Sequence, residues 1–189
     1  MNARTVCSTH RPIDRGFTLI ELMVGLLVAG ILTGMAIPAF NNFVLNDRDA
    51  TQINSMVYSL NYARSDAVRR NSSFGVEVCP SSNLTSCTAS AWSGGWIVLD
   101  LDPADTTPVL QAIPAFAGSN TVTATGTGAS GVVFNSSGGI QGSATLTITV
   151  CDTRGAPYAR DVEVTAIGTT QSSQNVGFQV NGTTALVCP

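Results

Sequence analysis

Residues 15–40, RGFTLIELMVGLLVAGILTGMAIPAF, decide the fold of the chain. Within them, residues 22–40 carry no charge, and as a helix at about 1.5 Å per residue they extend about 28 Å. That length matches the roughly 30 Å hydrocarbon core of a bilayer, so this segment can span a membrane. The excess of basic residues before it predicts a cytoplasmic N-terminus and export of everything after residue 40. These N-terminal charges are Arg4, Arg11 and Arg15, against the single acid Asp14.

Two other interpretations of this stretch are a secretory signal peptide and an ordinary membrane anchor. A signal peptide has an apolar region of about 7–15 residues and a small-residue cleavage site, whereas this run is longer and leads into residues 38–42, PAFNN. An ordinary anchor leaves Glu21 unexplained, because an acid within lipid is costly unless it snorkels to the surface. The position of Glu21 therefore indicates a role for its carboxylate.

The segment Arg15-Gly16-Phe17-Thr18-Leu19-Ile20-Glu21-Leu22-Met23 resembles the class III signal of type IV pilins and type II secretion pseudopilins. The resemblance implies that residues 1–16 are a leader, that a prepilin peptidase cuts between Gly16 and Phe17, and that the new N-terminal Phe17 is N-methylated. It also implies that Glu21 neutralises the Phe17 amine of a neighbouring subunit during docking. The implied partners are other minor and major pilins or pseudopilins, an inner-membrane assembly platform, and the inner membrane before assembly.

Beyond the apolar run, we expect the helix to continue and to become amphipathic. Pro38 removes one backbone hydrogen bond and clashes with the preceding turn, so we expect a kink or local melting there. Apolar residues then recur at intervals of three, four or seven and predict an amphipathic helix that ends near residues 71–73. The predicted packing face holds Phe43, Ala50, Ile53, Val57, Leu60, Ala63 and Ala67. The predicted polar face holds Asp47, Arg48, Asp49, Gln52, Arg69 and Arg70, with Asp66 spaced to pair with Arg70.

Two stretches resemble the GspH/FimT family of minor pilins and pseudopilins: residues 61–71, NYARSDAVRRN, and residues 91–100, AWSGGWIVLD. In that family a Gly-Trp pair opens a strand, so the resemblance implies a strand beginning at Trp96. Exposed tryptophans form sugar-binding and base-stacking platforms, and such a platform is the alternative interpretation of Trp92 and Trp96. We favour burial of both indoles at a sheet edge.

From residue 74 onward, short β-prone runs separated by Gly, Ser, Thr and Asn predict a β domain. The predicted strands are residues 74–78, 96–99, 131–134, 144–150, 161–164 and 176–180. Residues 102–145 predict hairpin loops and irregular edge strands, and the glycine-rich residues 126–131 lack the preceding strand and following helix of a dinucleotide loop.

The predicted fold class is α+β: a long N-terminal helix, apolar and then amphipathic, packed on a mostly antiparallel β-sheet or sandwich domain. Residues 17–44 form the transmembrane or filament-core half of the helix. Residues 45–189 form the exported globular domain, which includes the amphipathic half of the helix to about residue 71.

One of the five cysteines, Cys7, lies in the leader, and four lie in the exported part. Four cysteines in an oxidising compartment can form two disulfides, and three pairings are possible. Cys79 and Cys87 bracket a short loop, while Cys151 and Cys188 end two strand-like runs, so we favour 79–87 and 151–188. A zinc site of four thiolates is the alternative, and the lack of CxxC spacing argues against it.

The composition excludes several kinds of chemistry. The formal net charge is −3, 11% of the residues are charged, and His10 is the only histidine. Loss of the leader leaves neither histidine nor lysine, which excludes Ser-His-Asp and Cys-His catalysis, histidine metal sites and Schiff bases. We therefore expect a structural protein with no enzymatic activity, no cofactor and no metal.

Arg154 and Arg160 are the last basic residues of the chain, and they flank a turn-like stretch that contains Tyr158. Two arginines projecting beside a tyrosine suit weak contacts with the phosphates and a base of DNA. Asp152 and Asp161 make the same patch nearly neutral, so we do not expect DNA among the partners.

The resemblance predicts a minor pilin, which is a structural subunit that helps to initiate or cap assembly of a type IV pilus. Such a subunit lies first in the bacterial inner membrane as a single pass, with its C-terminal domain in the periplasm, and then in the filament. A type II secretion minor pseudopilin has the same N-terminus and fold and remains an alternative. A DNA-binding minor pilin for DNA uptake is a further alternative.

Overall fold

The structure is a computed structural model that describes residues 16–71, 73–88 and 91–188. The chain divides into two compact units, Met1–Asn42 and Phe43–Pro189. The predicted roles of the leader charges, Cys7 and His10 lie outside the described residues.

Helix α1 spans Leu19–Arg70 and is 52 residues long. It begins after Thr18, whose Oγ1 accepts a hydrogen bond of 3.3 Å from the Glu21 backbone N–H, so the side chain caps the first turn. It is followed by Asn71 with a left-handed φ of 49°, a conformation that ends helices. The predicted end near residue 71 is therefore confirmed.

Pro38 lies inside α1, and the helix continues through it without a break. Local melting, one of the two outcomes expected at Pro38, is therefore absent from this structure, and the kink stays a prediction. The physical reason is that proline deletes one backbone N–H and disturbs one turn, while the hydrogen bonds of the turns before and after it can hold the helical path.

The β domain contains eight strands within the described residues, and they form two four-stranded sheets. The strands are β1 (Val76–Pro80), β2 (Gly95–Asp100), β3 (Val109–Pro114), β4 (Thr121–Thr125), β5 (Val132–Phe134), β6 (Leu146–Cys151), β7 (Arg160–Val164) and β8 (Thr170–Ser172). The first sheet has the order β3-β2-β1-β5 and the second β4-β6-β7-β8, with antiparallel pairing throughout. This architecture confirms the α+β prediction.

The second half of α1 packs on both sheets through one hydrophobic core. Its apolar side chains share a cluster with alternate residues of the strands, as the two-residue period of a sheet requires. The fully buried members include Leu60, Ala63, Val76, Val78, Trp96, Val98, Leu146 and Ile148.

The predicted β pattern differs from the structure in three places. Residues 176–180 form a turn with one isolated bridge, between Phe178 and Ala185, because Gly177 adopts a φ of 82° and breaks the extended path. The short polar strand β8 was not predicted, since Thr-Gln-Ser carries no apolar alternation. A strand, β4, does precede residues 126–131, but β5 rather than a helix follows them.

The predicted faces of the second half of α1 also need correction. Phe43, expected in the packing face, is 66% exposed. Asp49 and Gln52, expected on the polar outer face, are buried. Helical spacing places them beside Ile53 and Met56, so position on the helix decides their burial more than their polarity does.

Candidate functional site

The first part of α1 exposes apolar side chains all round. Among the described residues, α1 is the one helix long and apolar enough to cross a membrane, and no residue of its apolar 18-residue window is buried. The exposed side chains there are Leu19, Ile20, Leu22, Met23, Val24, Leu26, Leu27, Val28, Ile31, Leu32, Met35 and Ile37. A helix that is apolar on every side requires lipid or other helices around it. This segment is therefore suited to binding lipid or other helices.

The predicted processing residues lie at the start of this helix. Gly16 and Phe17 precede α1 and are exposed, with 84% of Phe17 accessible. Glu21 lies in the first helical turn, where the positive end of the helix dipole favours a carboxylate. Cleavage before Phe17 would place an α-amino group four residues from that carboxylate.

The four cysteines of the β domain form two disulfides, Cys79–Cys87 and Cys151–Cys188. These are the two pairs that the spacing favours. A four-thiolate zinc site is excluded because all four sulfurs are oxidised. Glu77 lies near Cys79 and Cys87, but disulfide sulfurs are not thiolate ligands.

Both tryptophans are buried, so neither forms an exposed binding platform. Trp92 is 2% exposed and its Nε1–H donates to the Ala129 carbonyl oxygen at 2.8 Å. Trp96 is fully buried at the start of β2, where its ring meets Phe116 edge-to-face at 5.3 Å between centroids. The Gly-Trp pair does open a strand, as the resemblance implies.

A buried polar cluster fixes α1 to the loops around β4 and β6, and the sequence reasoning missed it. We call it the Asp49 cluster, and its members are Asp49, Gln52, Asn120, Asp152 and Arg154. The Asn120 amide donates to Asp49 Oδ1 at 2.7 Å and to Gln52 Oε1 at 2.6 Å. Arg154 Nε donates to Asp152 Oδ2 at 2.7 Å, and its Nη2 lies 3.6 Å from Asp49 Oδ2. The spacing of Asp49 with Ile53 and Met56 was the signal that could have revealed it.

The electrostatics of this cluster are unbalanced, because two carboxylates share one guanidinium. Burial raises the pKa of Asp49 from 3.8 to about 6, and the neighbouring Asp152 adds to the rise. Burial acts in the same direction on Asp152, but the hydrogen bonds from Arg154 hold the pKa of Asp152 below its usual value. Below about pH 6 the pair therefore holds a proton, and that proton resides on Asp49.

A second polar cluster lies at the other end of the packed helix. We call it the Arg70 cluster, and its members are Asp66, Arg69, Arg70, Asp100 and Asp105. Arg70 Nε lies 2.6 Å from Asp66, and its Nη1 pairs with Asp100 and lies 3.3 Å from Asp105. Arg69 also pairs with Asp66. The predicted pair of Asp66 and Arg70 is confirmed, and it extends to the end of β2.

The two candidate DNA-binding arginines occupy different environments. Arg154 is 12% exposed, bonded to Asp152, and positioned with its guanidinium 4.2 Å from the centre of the Tyr158 ring. Arg160 lies in β7, half-buried opposite Val150. The structure therefore brings Arg154 to Tyr158, as expected, and engages Arg154 with Asp152, while Arg160 belongs to strand β7.

Comparisons with known proteins agree with this arrangement. The family model described as Type II transport protein GspH matches residues 52–168, and the prokaryotic N-terminal methylation motif matches residues 11–37. The chain belongs to the GspH family. The two matches together cover most of the apolar helix, residues 52–70 of the packed helix and most of the β domain of this pilin-like protein.

Individual relatives are more distant from this GspH-family chain. The type IV major fimbrial protein FimA of Dichelobacter nodosus is 42% identical over 40 residues, which are 21% of this chain and 25% of FimA. The chain thus matches a quarter of the length of that relative. The crystal structure of the type IV minor pilin FimU of Pseudomonas aeruginosa is similar with a TM-score of 0.54 and 17% identity, over 68% of this chain and 90% of FimU. This likeness concerns the fold.

Proposed function

We propose that this GspH-family chain is a minor pilin that helps to initiate or cap assembly of a type IV pilus. The observation that carries the proposal is the wholly exposed apolar part of α1, joined to a folded GspH-type domain. A subunit of this kind works by exchanging lipid for the helices of other subunits. The fold of FimU, named a minor pilin, and the methylation motif support the pilus setting.

Processing and docking follow from the same N-terminus. Cleavage between Gly16 and Phe17 releases the leader and creates an amine that N-methylation modifies. Glu21 of this chain then neutralises the amine of a neighbouring subunit, since either charge alone in an apolar bundle is unfavourable. Prepilin peptidase and the inner-membrane assembly platform are the machinery that these steps require.

The compartment is the inner membrane before assembly, with the N-terminus in the cytoplasm and the domain in the periplasm. The basic residues before the apolar run and the two disulfides of the domain support this orientation, because disulfides persist in oxidising compartments. The predicted division into residues 17–44 and 45–189 lies close to the boundary between the two units after Asn42.

Glu21→Gln tests the docking role, with Asp47→Asn as the matched control on the same helix. We expect the Glu21 variant to be cleaved before Phe17, as measured by mass spectrometry, but to be reduced about tenfold in sheared filaments. The Asp47 variant should enter filaments normally. Normal incorporation of the Glu21 variant would contradict the docking role, and an intact leader in the native chain would contradict the processing step.

A type II secretion minor pseudopilin is the second candidate, because the matching family model carries a type II transport description. Deletion of the gene separates the two candidates. We expect few surface pili by electron microscopy and unchanged secretion of type II substrates, both restored by the native chain. Normal pili with lost secretion would select the pseudopilin instead.

A further inference from the structure

A small pocket lies between α1 and the end of β3, and its lining combines apolar walls with one charge. Its volume is about 270 Å³, near the lower end of the range of about 300–1,000 Å³ for small-molecule sites. The apolar lining includes Ile113, Pro114, Phe116 and Trp96. Among the described residues of the lining, Arg48 is the one that is charged.

The uncharged polar side chains of the pocket are already engaged within the fold. The hydroxyl groups of Thr51 and Ser55 donate to backbone carbonyl oxygens one turn earlier in α1, at 2.8 and 2.9 Å. Gln52 Nε2 donates to the Ala117 carbonyl oxygen at 3.1 Å, and its Oε1 also accepts a hydrogen bond. The Arg48 guanidinium therefore supplies the donors that remain on this side of the pocket.

The guanidinium of Arg48 is held in place but has no anion. Arg48 is half-buried, and its Nη1 lies so close to Gly118 that a Cβ there would overlap it. Within the described residues, this guanidinium forms neither an ion pair nor a hydrogen bond. The arginines that do bond to a carboxylate or a carbonyl oxygen include Arg64, Arg69, Arg70 and Arg154. A half-buried cation loses hydration, and a bound anion would compensate that loss.

The wall of the pocket contains a second donor without a partner. The Trp96 Nε1–H is buried and has no acceptor among the described residues, whereas the Trp92 Nε1–H donates to Ala129. Buried polar groups are nearly always hydrogen-bonded, so an unpaired one in a pocket wall is unusual. Both unsatisfied groups of the pocket are donors, which favours a ligand that accepts hydrogen bonds.

We propose that this pocket binds a small organic acid, with its carboxylate on Arg48 and its apolar body along Trp96, Phe116 and Ile113. A carboxylate accepts two hydrogen bonds from the planar guanidinium and supplies the missing negative charge. The apolar body gains by leaving water for a hydrocarbon wall. A fully polar anion would forgo that gain, and a neutral apolar molecule would leave Arg48 unpaired.

The experiment titrates 4-phenylbutyrate into the full-length chain, labelled with nitrogen-15 at tryptophan and held in a non-ionic detergent. The chain has two tryptophans, so its spectrum has two indole N–H signals, which Trp92→Phe assigns. We expect the Trp96 signal to shift with a Kd on the order of 1 mM, as for other small ligands. The Trp92 signal should stay in place, because Trp92 is not part of the lining and keeps its bond to Ala129.

Two comparisons test the charge. The neutral amide 4-phenylbutyramide should bind about tenfold more weakly than the acid, since it cannot form the ion pair. Arg48→Gln should weaken binding of 4-phenylbutyrate by a similar factor. Arg69→Gln is the matched control, because it removes the same charge from an exposed position of α1 and should leave the affinity unchanged.

Two further substitutions test the location. Ser55→Leu fills the pocket from the side of α1 and should abolish the shift of the Trp96 signal. Asn61→Leu places the same side chain on α1 outside this lining, and it should preserve the shift.

The opposite results overturn the inference. A Trp96 signal that does not move, or a Trp92 signal that moves equally, excludes binding in this pocket. Equal affinity of the native chain for the acid and the amide excludes carboxylate recognition by Arg48, even where Arg48→Gln fails to fold. Binding that persists in Ser55→Leu places the ligand elsewhere. None of these results bears on the pilus proposal, which Glu21→Gln tests separately.

Discussion

The Asp49 cluster and the Arg70 cluster hold opposite ends of the packed part of α1, and they handle buried charge differently. In the Arg70 cluster, two guanidiniums meet three carboxylates at a partly open edge, where Arg70 itself pairs with all three. In the Asp49 cluster, two carboxylates share one enclosed guanidinium, and amides supply the remaining partners. The comparison teaches that a buried carboxylic acid can be stabilised in two ways, either by a neighbouring cation or by its own protonation.

The two disulfides allow a second comparison, because they close loops of different length. Cys151 directly precedes Asp152 of the Asp49 cluster, and its bridge to Cys188 closes a loop of 37 residues, whereas Cys79–Cys87 closes 8. Replacing Cys151 and Cys188 by Ser should lower the free energy of unfolding by about 4 kcal/mol, against about 2.5 kcal/mol for the other pair, since longer loops restrict the unfolded chain more. Urea unfolding followed by tryptophan fluorescence measures both. Equal losses would contradict the loop-length account.

Removing the central cation should break the Arg70 cluster. Arg70→Met leaves Asp66 and Asp100, each 3% exposed, without their shared guanidinium, so we expect a loss of about 3 kcal/mol in unfolding free energy. Arg69→Met is the matched control, because the Arg69 side chain is 70% exposed and its pair with Asp66 is worth at most about 1 kcal/mol. The same urea titration checks both, and similar losses for the two variants would refute the central role of Arg70.

The protonated state of Asp49 should make stability depend on pH. The pKa of Asp49 is raised in the folded chain, so the folded state holds a proton that the unfolded chain releases between about pH 4 and 6. The free energy of unfolding should therefore fall as pH rises through this window, by roughly 1–2 kcal/mol from this group.

Asp49→Asn mimics the protonated acid and should remove this part of the slope, raising stability at pH 7 relative to the native chain. Asp47→Asn, at an exposed position two residues away, is the control and should keep the native slope. Thermal unfolding from pH 4 to 8 gives both profiles. A native slope in the Asp49 variant would exclude Asp49 as the titrating group.

The smallest expected effect concerns DNA. Because Arg154 is engaged by Asp152 and Tyr158, we expect weak binding that physiological salt abolishes, and changes under about twofold in Arg154→Ala and Arg160→Ala. Gel-shift titrations with folded, detergent-solubilised chain measure this. Tight binding at physiological salt that either substitution removes would promote the DNA-uptake alternative.

Spacing along the sequence was enough to predict one ion pair of the Arg70 cluster. Asp66 and Arg70 are four residues apart on one helix, so helix geometry alone brings them together. Asp49, Asn120 and Asp152 are 71 and 32 residues apart along the chain, and no short-range rule pairs them. The polarity of Asp49 suggested that it is exposed. Its position one helical turn before Ile53 indicated that it is buried, and the structure agrees with the position.

The sequence by itself determined the long helix, its apolar first part, the family resemblance and most strands, because each rests on a local period or an unbroken motif. It left three cysteine pairings open and misassigned residues 176–180, Phe43 and Asp49. Only the tertiary structure decided these, since they depend on which distant segments meet. The pairing of Cys151 with Cys188 requires the C-terminal segment to meet the end of β6. The raised pKa of Asp49 requires the loop that follows β6 to meet α1.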